Sequence, residues 1–95
     1  MNEKNEKALY MKVSGRVQGV GYRYHCKKTA DRTGVSGWVR NLPDGDVEME
    51  VKGPAKNVDE YINGVTEGGF FFNVTGKETE KISRERDYNG FSIKH

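Results

Sequence analysis

The sequence predicts an α+β fold in which two helices cover one face of a mainly antiparallel sheet. Three observations carry this: short runs of apolar–polar alternation, two stretches with apolar residues at helical spacing, and turn residues at the junctions between them. Leu9, Met11 and Val13 alternate with Tyr10, Lys12 and Ser14, the period of a half-buried strand. Tyr22, Cys26, Thr29, Ala30 and Thr33 recur at helical spacing, with Lys27, Lys28, Asp31 and Arg32 on the other side. Gly34 is placed to end that helix as a left-handed cap. Val35 to Leu42 is a second strand, and Pro43-Asp44-Gly45 is a turn. Val47, Met49 and Val51 alternate with Glu48, Glu50 and Lys52 to complete a hairpin.

Gly53-Pro54 breaks that strand, and Val58, Tyr61, Ile62 and Val65 then form an i, i+3, i+4, i+7 stripe. The second helix starts either at Pro54 or at Asn57, where Glu60 would complete a capping-box-like pair. Gly64 inside it costs about 1 kcal/mol relative to alanine, and Gly68-Gly69 ends it. Phe70, Phe71, Phe72 and Val74 are apolar, and a fourth strand falls within Asn73 to Ser83. Phe91 and Ile93 alternate with Ser92 and Lys94 in a short last strand. The order β-α-β-β-α-β plus a terminal strand is that of a ferredoxin-like sandwich.

Ninety-five residues make one domain with a modest core, at 34% hydrophobic and 32% charged. Residues 1–7 are polar and read as a flexible tail rather than a signal peptide, leaving 8–95 as the folded domain. Apolar runs fall far short of the ~20 residues of a membrane span. The single cysteine, Cys26, excludes an internal disulfide and a cysteine-based zinc cluster, and suits a reducing cytoplasm. A net charge of +2 is too small to argue for nucleic acid. The local balance matters more, since Arg16, Arg23, Lys27, Lys28 and Arg40 face only Asp31 as a near acid in sequence, and would draw in a small anion.

The segment Val13-Ser14-Gly15-Arg16-Val17-Gln18-Gly19-Val20-Gly21-Tyr22-Arg23 runs from a strand through a loop with three glycines to a helix start. Glycines let such a loop turn several N–H groups toward one point, and the helix start adds unpaired N–H groups and its positive dipole end. Arg23 adds a planar fork of donors that fits two phosphoryl or carboxylate oxygens. The segment reads as an anion cradle. It is neither a Walker loop nor a G-x-G-x-x-G turn.

G-R-V-Q-G-V-G-Y-R at 15–23, G-W-V-R-N-L-P-D-G at 37–45 and Gly53-Pro54 together closely resemble the acylphosphatase family, from about Leu9 to the end of the chain. The resemblance implies the ferredoxin-like fold and hydrolysis of carboxyl–phosphate anhydrides without metal or cofactor. Arg23 would bind the substrate phosphate and Asn41 would orient the attacking water. Gly15, Arg16, Val17, Gln18, Gly19, Val20, Gly21 and Tyr22 would bind the phosphoryl group, mainly through main-chain N–H. Inorganic phosphate or sulfate would compete with the substrate. A monomer with no nucleic-acid or membrane partner is expected. This chain has Tyr22 where the family commonly has phenylalanine or another apolar residue, and ends in His95 where relatives often end in tyrosine.

Each candidate also has a plainer reading. An arginine near a helix start is ordinarily a surface residue, but a cation there opposes the dipole and so asks for an anion. Asparagine beside a Pro-Asp-Gly turn ordinarily bonds its own backbone, yet the fold would place this strand beside the first one, so that the side chain could reach the loop, and a neutral amide can both donate to and accept from a water. Gln18 either holds the loop's shape or faces water. His25 reads as a helix-face residue, Cys26 as a buried structural thiol, Trp38 as core or surface patch, and Asp44 and Asp46 as turn residues. No histidine, carboxylate pair or Ser/His constellation accompanies the loop, so general acid–base help is lacking and the leaving group must be good. A carboxylate, whose conjugate acid has a pKa of roughly 4 to 5, satisfies that need. A phosphate-binding module without turnover is the alternative from another class. An RNA-binding domain of the same fold would need paired aromatics on its central strands, which are lacking here.

Overall fold

A computed structural model describes residues 5–67, 69 and 71–95. Strands β1 (Glu6–Arg16), β2 (Ser36–Asn41), β3 (Val47–Pro54), β4 (Asn73–Lys81) and β5 (Phe91–Lys94) alternate with helices α1 (Tyr22–Thr33) and α2 (Ala55–Thr66) in the expected order. The sheet runs β4-β1-β3-β2-β5. Its neighbours are antiparallel except β2 and β5.

Strand periodicity sorts the two faces. Met11, Val13, Val39, Val47, Met49, Val51 and Phe91 point inward and meet Cys26 and Ala30 of α1 and Val58, Tyr61 and Val65 of α2 in one buried cluster. Asn41 has the same parity as Val39, which puts it on the helix side of β2. The other face is polar and internally paired. Glu48 accepts from Tyr10 Oη (2.7 Å) and Arg40 Nε (2.9 Å), and Glu50 from Tyr88 Oη (2.6 Å) and Arg86 (2.7 Å). Alternation predicts these glutamates to be solvated, but both are buried beneath their partners. Burial would raise the Glu48 pKa, and the bonds from Tyr10 and Arg40 outweigh it and hold it below the ordinary value.

Three local expectations change. β1 starts at Glu6, inside the stretch expected as a tail, because Glu6 and Lys7 pair with Pro54 and Gly53, and Lys7 Nζ reaches Asp59 at 2.7 Å. Residues 1–4 lie outside the described residues, as do Gly68 and Phe70. α2 starts at Ala55 after Pro54, without the Asn57–Glu60 pair. Asn57 Nδ2 instead donates to the Thr33 carbonyl (2.9 Å), satisfying the last turn of α1. α2 ends at Thr66, with Glu67 extended as its C-cap rather than a glycine, and the Glu67 N–H bonds the Asn63 carbonyl.

Gly64 is where α2 comes up against α1. A Cβ built there would lie 2.8 Å from Thr29 Cγ2 and 3.3 Å from Arg32 Nη2. Thr29 cannot easily turn away, since its hydroxyl donates to the His25 carbonyl (2.8 Å). Helix propensity alone favours Gly64→Ala by about 1 kcal/mol, whereas overpacking costs about 1 to 3 kcal/mol. The clash should win. Urea denaturation should show Gly64→Ala less stable than the parent, and a gain of stability would mean that the helices are free to separate.

Candidate active site

The cradle is assembled by β1, α1 and the β2–β3 turn. At the end of β1 the register with β4 shifts between Ser14 and Gly15. A Cβ at Gly15 would overlap the Asn73 carbonyl of β4, so glycine is needed there for close approach. The Val17 N–H turns back to the Gly15 carbonyl (3.1 Å), and Val17 itself is buried. Gly19 and Gly21 have φ of 74° and 80°. A Cβ at either would meet nothing within 4 Å, so their requirement is left-handed backbone rather than space.

The result is a run of unpaired donors. Among the described residues, the amides of Gln18, Gly19, Val20 and Gly21 have no backbone acceptor. Gly21 caps α1 without a side-chain bond and no acid lies in the first turn, so the N–H groups opening the helix are also unpaired. These donors and the dipole end suit an anion.

Gln18 is what ties the loop down. Its Nε2 donates to the carbonyls of Leu42 (2.7 Å) and Asp46 (2.8 Å), across the β2–β3 turn. The turn is itself braced by the Asp46 N–H on Asp44 Oδ1 (2.9 Å). The sequence reading puts β2 beside β1, but β3 stands between them, with Val13 and Asn41 both opposite Val47. Two strand spacings, about 10 Å, therefore separate Asn41 from the end of β1. The loop crosses that distance and Gln18 fastens it there.

Arg23, Asn41 and the loop glycines Gly19 and Gly21 then line one pocket of about 270 Å³, with Ile93 and His95 at its rim. Arg23 is half-buried; one Nη1 donates to the Lys94 carbonyl (3.1 Å) and lies 3.3 Å from His95 Nδ1. Asn41 Oδ1 is buried and has no hydrogen-bond partner among the described residues. A buried acceptor left that way costs about 1 to 3 kcal/mol, so it marks a position kept for something other than stability. The plain turn-former reading of Asn41 does not hold for this oxygen.

The neighbouring residues divide differently from expectation. Arg40 binds Glu48 on the far face of the sheet, and Lys27 pairs with Asp31 (3.4 Å) and donates to the Phe91 carbonyl (3.0 Å). Neither adds a free cation to the site. Arg16, Arg23, Lys28 and Arg32 make no ion pair among the described residues, and Arg32, expected only on the polar face of the helix, joins the unpaired cations. The Tyr22 hydroxyl, the departure from the family pattern, donates to the Val65 carbonyl (2.7 Å). Burial, with Cys26 beside it, pushes that phenol far above the ordinary tyrosine value. Burial likewise pushes the Cys26 thiol up to about 12 and keeps it protonated. His25 is no plain surface residue: its Nε2–H donates to the Gly64 carbonyl (2.8 Å), and its ring packs on Phe72 and Phe71. Trp38 lies on the open sheet face between Arg40 and Lys94.

Fold and site together define a ferredoxin-like sandwich whose first strand–helix junction carries a run of unpaired backbone donors. The family description "Acylphosphatase" matches residues 9–93. A Bacillus velezensis acylphosphatase is 43% identical over 86 residues, 90% of this chain and 96% of that one. The crystal structure of acylphosphatase from Bacillus subtilis aligns with a TM-score of 0.87 at 34% identity, over 93% of this chain and 98% of that one. An acylphosphatase structure from Coxiella burnetii gives 0.88 at 35% identity, over 99% and 98%. The chain belongs to the acylphosphatase family and is an enzyme of that class.

If Gln18 sets the loop, its amide matters as a donor. Gln18→Ala should lose about 1 to 3 kcal/mol for two broken bonds to carbonyls and should bind phosphate more weakly. Gln18→Glu sets a carboxylate against two carbonyl oxygens and should fare worse than alanine in thermal stability and in phosphate affinity, both measured by calorimetry. Phosphate affinity unchanged in both variants would show that the loop keeps its shape without this side chain.

Proposed function

We propose that the chain hydrolyses acyl phosphates to a carboxylate and inorganic phosphate without a metal ion. Arg23 and the amides of residues 18–22 hold the phosphoryl oxygens, whereas the Val17 N–H is taken by the Gly15 carbonyl, and Asn41 orients the water. The observation that carries this reading is the buried, unpartnered Asn41 Oδ1 in the same small pocket as Arg23 and the loop glycines.

Each group has a defined task. Charge spreads over the three equatorial oxygens as phosphorus passes from the leaving to the attacking oxygen. Donors already turned toward that position stabilise the charge without reorganising. The guanidinium contributes a fork and a full positive charge, and the amides contribute directed partial charges. Asn41 Oδ1 accepts one water hydrogen, which leaves a water lone pair free to face phosphorus. The new P–O bond forms as the bond to the carboxyl oxygen breaks, and the electron pair leaves with the carboxylate. The attacking water's surplus proton passes to a phosphate oxygen or to solvent, so no general acid is required at the leaving group.

Two substitutions separate binding from chemistry. Arg23→Gln should lose charge-assisted bonds worth about 1.5 to 3 kcal/mol each, and benzoyl phosphate turnover in EDTA should fall by at least ~10²-fold. Arg23→Lys should fail too, because a point charge does not reproduce the fork. Asn41→Ala should cut kcat severely while the inhibition constant for phosphate stays nearly constant. A phosphate constant that rises as much as kcat falls would move Asn41 from water to phosphate. Phosphate binding with no turnover in the parent chain would make it a binding module.

A further inference from the structure

Beside the small pocket that holds Arg23 and Asn41 lies a wider groove of about 690 Å³. Val20, Tyr24, His25, Lys28, Arg32 and Phe71 line it. Tyr24 and Phe71, 63% and 43% exposed, are the exposed large hydrophobic residues among those described, and both stand on this groove. Apolar side chains left in water side by side mark a surface meant to be covered. The groove is built rather than incidental. The His25 ring, held by the Gly64 carbonyl, meets Phe71 edge to face at 5.8 Å between centroids.

Its position identifies what covers it. Gly21 and Tyr24 line both the groove and the phosphate pocket, so the two adjoin. Asn41 lines the phosphate pocket and not the groove. An in-line displacement puts the leaving group across phosphorus from the water, and away from Asn41 lies the groove. The cations at its far end add a second element of selection. Lys28 Nζ stands 5.6 Å from the centre of the Tyr24 ring, and neither Lys28 nor Arg32 is paired with an acid among the described residues. They follow Arg23 by five and nine residues, about 7.5 and 13.5 Å along the helix.

We infer that this groove is the acyl subsite and selects acyl phosphates whose acyl group has an apolar body and an anionic end. Tyr24 and Phe71 cover the body, and Lys28 and Arg32 receive the anion. The inference rests on the acyl phosphate reading above, and adds to it the class of acyl group.

The test compares kcat/KM for acetyl phosphate, benzoyl phosphate, 4-carboxybenzoyl phosphate and 4-(trimethylammonio)benzoyl phosphate. The carboxylate substrate should exceed the cationic one by about tenfold or more, a difference of about 1.4 kcal/mol, and the margin should shrink with added salt. Lys28→Gln/Arg32→Gln should erase that margin, lowering the carboxylate substrate well beyond whatever acetyl phosphate loses from the weaker field around the loop. Phe71→Ala should lower benzoyl phosphate relative to acetyl phosphate. A margin that is absent, or that survives in the double variant, would overturn the anionic specificity. An equal fall in all four substrates would overturn the subsite. If Arg23→Gln abolishes turnover while the groove variants change no ratio, only this inference fails. If the parent hydrolyses none of the four, the acyl phosphate reading fails, and binding of 4-carboxybenzylphosphonate against methylphosphonate still tests the groove. Equal affinities for the two would refute it.

Discussion

A row of backbone N–H groups held without acceptors is the constraint on which this structure turns. Backbone amides in a folded chain ordinarily find partners, and here those of Gln18 to Gly21 have no backbone acceptor and lie next to the opening of α1. Left-handed glycines permit the path, but permission does not hold a loop in place. The holding is done by Gln18 on the Leu42 and Asp46 carbonyls and by buried Val17 beneath. The same fastening sets the β2–β3 turn, and with it Asn41, against the loop. One side chain therefore couples the two halves of the site.

Charge is partitioned to match. On the open face of the sheet, Arg40 and Arg86 are neutralised by glutamates that tyrosine hydroxyls also bind. Lys12 is likewise spent on Asp44 and Asp46, each at 3.5 Å, and Asp44 chiefly raises its pKa. Around the loop and along the exposed side of α1, Arg16, Arg23, Lys28 and Arg32 stay without acid partners among the described residues. A net charge of +2 conceals this separation. The field that draws an anion comes from where the carboxylates are absent rather than from total charge.

Much of this was legible in residue order. α1 spans Tyr22–Thr33 as periodicity predicts, because Gly21 and Gly34 punctuate it on both sides with left-handed backbone. The loop motif and the Trp-Val-Arg-Asn segment pointed to one site, and Arg23 and Asn41 do share a pocket. What escaped was tertiary. Alternation cannot tell a solvated glutamate from one buried under arginine and tyrosine, as at Glu48 and Glu50. Local pattern carries no strand order, so β3 was not foreseen between β1 and β2. Gln18 left two readings open, since its partners lie 24 and 28 residues away. Gly64 read as a defect of α2 until the approach of Thr29 supplied its reason. The groove beside the cradle joins Val20 and Tyr24 to Phe71, a proximity that only the folded chain creates.

The loop amides proposed as the anion site can be observed one by one. Amide proton shifts in the 15N-labelled protein should be followed while inorganic phosphate replaces chloride at constant ionic strength. Saturable downfield shifts should concentrate on Gln18, Gly19, Val20, Gly21 and Tyr22, share one dissociation constant and vanish in Arg23→Gln. Small shifts spread over the surface lysines, with the loop amides unmoved, would contradict the proposal.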